Sequence, residues 1–327
     1  MTAVHRVASN GPRMARVWVP LLSSPLALAS LAASVVAALL SGCASNVVSP
    51  GGSRVPTISA RPEAQDRLHQ QANDALERWA RAVRDNGGAA ITFAGELTSQ
   101  IGTWEEANGD NKSALLAGVL EPSTALPAER PGRREVKWVD GTSIDVDVLS
   151  AQQAFDELVA AAVAAGGECA DCKAIRITDA NLATGLVETS TGPAEVPMWV
   201  YSVRGSAVRI TRVAVDGSVT VDPPPWNAED PPVGISIDLA IGTPDSNKLQ
   251  VRYIGADDSC GMETTVEAVE SDLAVVVLVE ERPGPGANAC RLVGRLRTAD
   301  VTLDTALGDR VVLEARQGLP VPVHAPE

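Results

Sequence analysis

The chain has 327 residues, with 27 basic against 41 acidic side chains and a net charge of −14. Binding to a phosphate backbone rests on clustered cations, so this balance excludes nucleic acid as the default partner, and only 6 Trp, 2 Tyr and 2 Phe are present to stack on bases or sugars. At 45% hydrophobic and 21% charged residues the composition is globular rather than disordered, and the length predicts two domains.

Before Glu63, the first acidic residue, the only charged residues are Arg6, Arg13, Arg16, Arg54 and Arg61. An uncharged segment rich in Leu, Ala, Val and Ser runs from Val17 to Gly42, and a basic start followed by an apolar run is the layout of an export signal. Met14 is an alternative start to Met1, since Arg16 alone still supplies a basic region. The run ends in Leu40-Ser41-Gly42-Cys43, and here the chain resembles bacterial prolipoproteins, whose lipobox reads Leu, a small residue, Gly or Ala, then Cys. The resemblance covers residues 1–43. It implies cleavage between Gly42 and Cys43, a diacylglyceryl group with palmitate-type chains on the Cys43 sulfur, and Cys43 as the mature N-terminus. Two acyl chains hold a protein at a bilayer where one binds only marginally. The competing reading is an uncleaved signal anchor, since a span needs about 20 apolar residues; Pro20 and Pro25 weaken that helix. Both readings place the remainder outside the cytoplasm. Losing Arg6, Arg13 and Arg16 leaves 24 basic against 41 acidic residues, a net charge of −17. Such a body is repelled by an anionic membrane surface and should stand upright on it.

Residues 43–61 read as a flexible tether. The first helix is predicted from Pro62, a favourable first helical position, with Ala64, Leu68, Ala72, Leu76, Trp79 and Val83 as one apolar stripe and Asn86-Gly87-Gly88 as its stop. Ile91 and Phe93 alternate as a short strand. Residues 96–134 are the least patterned, with a turn at Asn108-Gly109-Asp110-Asn111 and a short helix near Ser113 to Val119. Val136 and Trp138, then Asp140-Gly141, then Ile144, Val146 and Val148 predict a hairpin. Ser150 and Gln153 match a capping box for a second helix, with Phe155, Leu158, Val159, Ala162 and Val163 buried and Gly166-Gly167 ending it. Strands follow at Ile175 and Ile177, at 182–189, at 196–203 and at 207–215. These elements predict an α+β domain over residues 62–221, two helices on one antiparallel sheet. Residues 222–233, DPPPWNAEDPPV, carry five prolines and read as a stiff linker. Beyond it short strands at 235–241, 249–253, 264–269, 274–279, 292–296, 301–303 and 311–313 predict a smaller all-β, sandwich-like domain over 234–323.

Four cysteines remain beyond Cys43, an even number in an exported chain, which argues for two disulfides. Three pairings exist; proximity in sequence favours Cys169 with Cys172 and Cys260 with Cys290. The Cys169-Ala170-Asp171-Cys172 spacing is shared with thioredoxin-like redox motifs. Those motifs place the first cysteine at a helix N-terminus after a strand, whereas here the motif follows a helix, precedes a strand and has Glu168 and Asp171 beside it, which raise a thiol pKa. A loop staple is therefore preferred over redox chemistry, and a metal site joining all four cysteines lacks a second close pair.

Histidine is the commonest general base, and the mature chain has only His69, in the first helix, and His324, near the C-terminus. Neither lies near a nucleophile motif, and both read as surface residues. Asp145 and Asp147 share one strand face about 7 Å apart, within the range used by glycoside hydrolases, but alternating carboxylates on an exposed strand are more often simply solvated. Asp257 and Asp258 lack the ligand spacing of a calcium loop. Trp199 and Tyr201 project to one side of their strand, as core or as an aromatic binding patch.

The tail, Ala306-Leu307-Gly308-Asp309-Arg310-Val311-Val312-Leu313 with Gly318-Leu319-Pro320-Val321-Pro322-Val323, resembles uncharacterised exported proteins of high-GC Gram-positive bacteria. The Cys260 to Cys290 spacing and 23 Arg against 4 Lys fit the same group. The resemblance implies an actinobacterial envelope lipoprotein and transfers no functional residue. The resulting expectation is a lipid-anchored binding or scaffold protein on the extracytoplasmic face of the cell membrane. Its partners are the bilayer, through diacylglyceryl-Cys43, and an envelope protein or small ligand; no nucleic acid, metal or cofactor is expected. An extracytoplasmic enzyme ranks second, either a redox protein using Cys169 and Cys172 or a hydrolase without a recognisable signature.

Overall fold

A computed structural model describes residues 60–88, 91–104, 110–225, 227–287 and 293–326. The lipobox with Gly42 and Cys43, and Cys290, lie outside the described residues. The protein is β-rich, with a few helices and several sheets. The described residues belong to one compact unit, and no described helix is long and apolar enough to cross a membrane.

Helix α1 spans Ala60–Asp85. Leu68, Ala72, Ala75 and Trp79 form its buried stripe, with Leu76 and Val83 packed at its margins. Gly87 and Gly88 end it with φ of 72° and 120°. A sheet then assembles from β1 (Thr98–Ile101), β2 (Leu120–Pro122), β3 (Arg133–Trp138), β4 (Ser143–Asp147), β5 (Ile175–Thr189), β6 (Gly192–Val203) and β7 (Arg209–Val213). Strand β6 is its hub: it pairs along β5 on one edge and with β7 and β3 on the other, and β2 lies parallel to β5. Two of these strands, β1 and β2, fall in the stretch whose sequence carries the least pattern. The strands predicted separately at 175–177 and 182–189 are one, because a bulge between Ile177 and Asp179 absorbs the polar interruption.

Helix α2 is Asn111–Leu116, and α3 is Ala151–Ala164. The capping box forms as expected: Gln153 N–H donates to Ser150 Oγ at 3.1 Å, and Ser150 N–H donates to Gln153 Oε1 at 3.2 Å. Ala151, Ala154, Phe155 and Leu158 cover one face of the sheet over Tyr201, Ile210 and Trp199. Val136, Val146, Ala194 and Val196 build a separate core on its other face. Val163, expected inside, is 61% exposed, because the last turn of α3 runs past the sheet.

The remaining strands are β8 (Ile237–Ile241), β9 (Lys248–Gly255), β10 (Met262–Glu270), β11 (Ala274–Pro283), β12 (Arg295–Thr302), β13 (Val311–Glu314) and β14 (Val323–His324). They form a three-stranded sheet ordered β10-β11-β13 and a four-stranded sheet ordered β12-β9-β8-β14. Both sheets contribute to one core, with Val275, Val277 and Val279 against Leu249, Val251 and Tyr253. Between 295 and 302, where two strands are predicted, β12 is continuous: pairing with β9 carries it through polar residues.

The placement of α1 departs from expectation. It does not join α3 on the first sheet but covers the outer face of β11 and β13 through Ala274, Val276, Leu278 and Leu313. The cause is the unbroken apolar run Ala274–Val279, buried at every position. Its odd-numbered residues fill the core between the sheets, and its even-numbered residues would meet water without a helix above them.

Candidate functional site

The residues singled out by chemistry do not converge. His69 accompanies α1, with Nδ1 3.0 Å from the Gln65 carbonyl and Nε2 3.1 Å from Glu267 on β10. His324 on β14 has Nε2 3.0 Å from Glu188 at the end of β5. Both histidines thus fasten one element to another. Asp145 and Asp147 are exposed along β4. Asp257 accepts from Ser259 Oγ at 2.7 Å and from Arg295 Nε at 2.9 Å. These bonds, that from Ser259 foremost, hold its carboxyl down at about 2. Asp258 pairs with Arg297, so both carboxylates are occupied by arginine. Among the described residues no three His, Cys, Asp or Glu side chains gather as a metal set.

Trp199 and Tyr201 are core residues. Trp199 Nε1 donates to the Leu149 carbonyl at 2.9 Å, and Tyr201 Oη donates to the Ala151 carbonyl at 2.8 Å. Phe155 meets the Tyr201 ring edge-on at 5.7 Å, and burial raises the Tyr201 pKa. The aromatic pair anchors α3 and presents no binding patch.

Cys169 and Cys172 are paired at disulfide distance, with Cα atoms 5.5 Å apart, in the connection from α3 to β5. Both are half-buried, and Cys172 Sγ lies 3.7 Å from the Asp110 carbonyl that opens α2. A side chain at Gly167 would collide with the Leu116 carbonyl, so this connection is packed tightly on α2. Cys260 is buried and disulfide-bonded, in the single 3₁₀ turn Asp258–Cys260.

A concave surface lies along the polar side of α1. There a cleft of roughly 970 Å³ is lined by Arg67, Gln71, Asp74 and Arg78 from the helix and by Ala315, Arg316 and Gln317 after β13. Its other wall is the Pro-rich segment, with Pro223, Pro224, Pro225 and Pro232, and the last turn of α3 closes one side with Ala161, Ala164 and Ala165. A more open hollow of roughly 500 Å³ continues it past Arg81 and Asp85, sharing Arg78 and Asp222 with the first. The helix residues recur at spacings of four and three, one per turn on one face, and cover about 27 Å at 1.5 Å per residue.

The Pro-rich wall is held at its C-terminal end. Gln71 clasps the end of the Pro-rich segment in both directions: Val233 N–H donates to its Oε1 at 2.9 Å, and its Nε2 donates to the Val233 carbonyl at 3.1 Å. Arg67 pairs with Asp230 and donates to the Pro231 carbonyl at 3.2 Å. Residues 222–233, predicted as a linker, are therefore bound to α1 at their C-terminal end.

Arg78 sits where the two hollows meet. Its Nη2 donates to the Gln317 carbonyl at 3.1 Å, while its Nε is buried without an acceptor. Gly318, at φ 73°, leaves the space this guanidinium occupies; a Cβ there would collide with it and would lie 2.8 Å from the Ala75 Cβ. Burial lowers the Arg78 pKa, Arg81 adds to the drop, and Asp74 and Glu314 oppose it. The two hollows together expose four arginines and four aspartates, an even balance on an acidic body. Sequence reasoning followed the apolar stripe of α1 and passed over this one. The signal was present in Arg67, Gln71, Asp74, Arg78, Arg81 and Asp85, which keep helical spacing on the adjacent face.

Comparison with protein-family models, with curated proteins and with solved structures finds no match for this chain.

Proposed function

We propose that this protein is a lipid-anchored binding protein of the cell envelope, tethered through diacylglyceryl-Cys43 to the extracytoplasmic face of the membrane, with the cleft along α1 as its ligand seat. The observation that carries the reading is that cleft. It sets walls of proline and alanine against six charged and four amide side chains, in a volume within the range of ligand sites. The lipobox supports the anchor, and α1 follows the Ser-, Gly- and Pro-containing tether directly. On this reading residues 62–221 are an α+β domain and residues 234–323 a smaller sandwich-like domain, with α1 laid across the second to hold one wall of the seat. The half-buried Cys169–Cys172 pair supports a second reading, thiol–disulfide exchange. Its position after a helix and its acidic neighbours disfavour that chemistry.

The anchor is tested by Cys43→Ala. The variant should lose fatty-acid labelling, change mass by more than the side-chain difference and leave the membrane fraction. If labelling, mass and membrane retention stay as in the parent, the anchor is refuted.

A further inference from the structure

We propose that the α1 cleft takes a short peptide with free termini, its carboxylate on Arg78 between Arg81 and Arg316 and its ammonium on Asp74; this rests on the reading of the cleft as a ligand seat. Arg78 supplies the anion site. A guanidinium offers five N–H donors in a planar fork suited to a carboxylate; here Nη2 is bonded to the Gln317 carbonyl and Nε is buried, so the terminal nitrogens, not Nε, meet the ligand. Arg81 and Arg316 line the hollows on either side and form no ion pair among the described residues, so all three cations keep hydrogen-bonding capacity, although Asp74, Asp85 and Asp222 line the same hollows.

The second charge sets the class of ligand. Asp74 lines the cleft one helical turn before Arg78, about 5–6 Å along the axis. That is the backbone spacing; with the Asp74 and Arg78 side chains reaching outward from it, the charges suit the termini of a di- or tripeptide and lie further apart than one α-amino acid can span. A dicarboxylate or a phosphate ester would set a second negative group against Asp74 or Asp222. The Pro wall lacks N–H donors and cannot add the peptide as a strand. It offers instead a dry, rigid surface to the ligand's side chains, facing the alanines of α3.

Calorimetric titration of the full chain in mild detergent tests this with three probes: trialanine with free termini, its C-terminal amide and its N-acetyl form. Free trialanine should bind, amidation should weaken it by about tenfold or more, and acetylation by about threefold, since each removes one charge-assisted contact. Asp74→Asn should erase the difference between free and acetylated peptide. Arg81→Gln and Arg316→Gln, at positions away from the buried stripe, should each weaken the free peptide but not the amide. Equal affinity for free and amidated trialanine overturns the proposal, as does absence of binding at about 10 mM. Photo-crosslinking from Gln70, an exposed lining residue, separates the two readings. If trialanine fails while Gln70 still captures a non-peptide envelope molecule, the ligand class alone falls; if both fail, the cleft is not a ligand seat.

Discussion

Gly318→Ala tests the fit of α1 over the turn that follows β13. Gly318 sits at φ 73°, where the Arg78 guanidinium and the Ala75 Cβ press against the space a methyl group would need. Two costs follow. The left-handed backbone costs an L-residue about 1–2 kcal/mol, and forcing a methyl into a closed contact costs about 1–3 kcal/mol more. Gly308 provides the control within the same chain: its φ is 60°, and nothing lies within 4 Å of its would-be Cβ, so Gly308→Ala should show the backbone cost alone. Urea unfolding monitored by tryptophan fluorescence should therefore place Gly318→Ala below Gly308→Ala by about 1–3 kcal/mol. Because the clash lifts Arg78, the same variant should also weaken trialanine binding, and Gly308→Ala should not. Equal destabilisation by the two substitutions would show that α1 does not approach the 315–318 turn as described.

Two further outcomes are expected. Burial pushes the Glu270 carboxyl up, but bonds from the Asp304 N–H and Arg310 outweigh it and leave its pKa below the usual value of 4.5. A depressed folded-state pKa contributes stability above the unfolded value and loses it as pH falls through the folded one, so this contribution should begin to fall near pH 4.5 and be gone once the pH is below the folded-state value. Glu270 is 14% exposed and holds Arg310 at 2.6 Å, so Glu270→Gln should cost about 1.5–3 kcal/mol at pH 7 and flatten the acid limb of the stability–pH curve; an unchanged limb would refute the assignment. Replacing Cys169 and Cys172 together by Ser should cost about 2 kcal/mol by the chain-entropy relation for so short a loop, with exchange activity toward small disulfides no different from the parent. Unchanged stability with lost exchange activity would instead establish the redox reading.

Local chemistry made much of this fold legible. The capping box at Ser150, the glycine stops after α1 and α3, and the Asp140-Gly141 hairpin depend on residues within a few positions of one another, and each formed as read. What stayed hidden depends on partners far along the chain. Strands β1 and β2 are only four and three residues long, and β1 is mostly exposed, so neither carries a readable alternation; pairing with β7 and β5 makes them strands. The docking of α1 was assigned to the nearer sheet because neighbouring elements usually pack together. The contrary sign was the unbroken run Ala274–Val279, which describes a strand needing cover on both faces. The cleft was missed for a related reason: one wall comes from α1, another from the Pro-rich segment and its floor from residues after β13, and no local window contains all three.

The charge balance gains meaning from that geometry. Carboxylates dominate the chain, yet several that lie near packed elements are already held by arginine, as in Asp257 with Arg295, Asp258 with Arg297 and Glu270 with Arg310. Arginines committed in this way cannot serve a ligand. Arg78, Arg81 and Arg316 are different, because the residues around them supply a backbone carbonyl and an aspartate one turn away but no matched carboxylate fork. On a body of strongly negative charge, an approaching anion is repelled over most of the surface and least in the cleft, where four arginines balance four aspartates. A free anion would pay that repulsion in full, whereas a zwitterion carries no net charge and meets it only weakly. Added salt should therefore strengthen the binding of acetyl-trialanine, which is a net anion, relative to free trialanine, by screening the body's field over a Debye length of about 10 Å at 0.1 M. If salt weakens both peptides equally, the local arginines rather than the whole-body charge govern entry to the cleft.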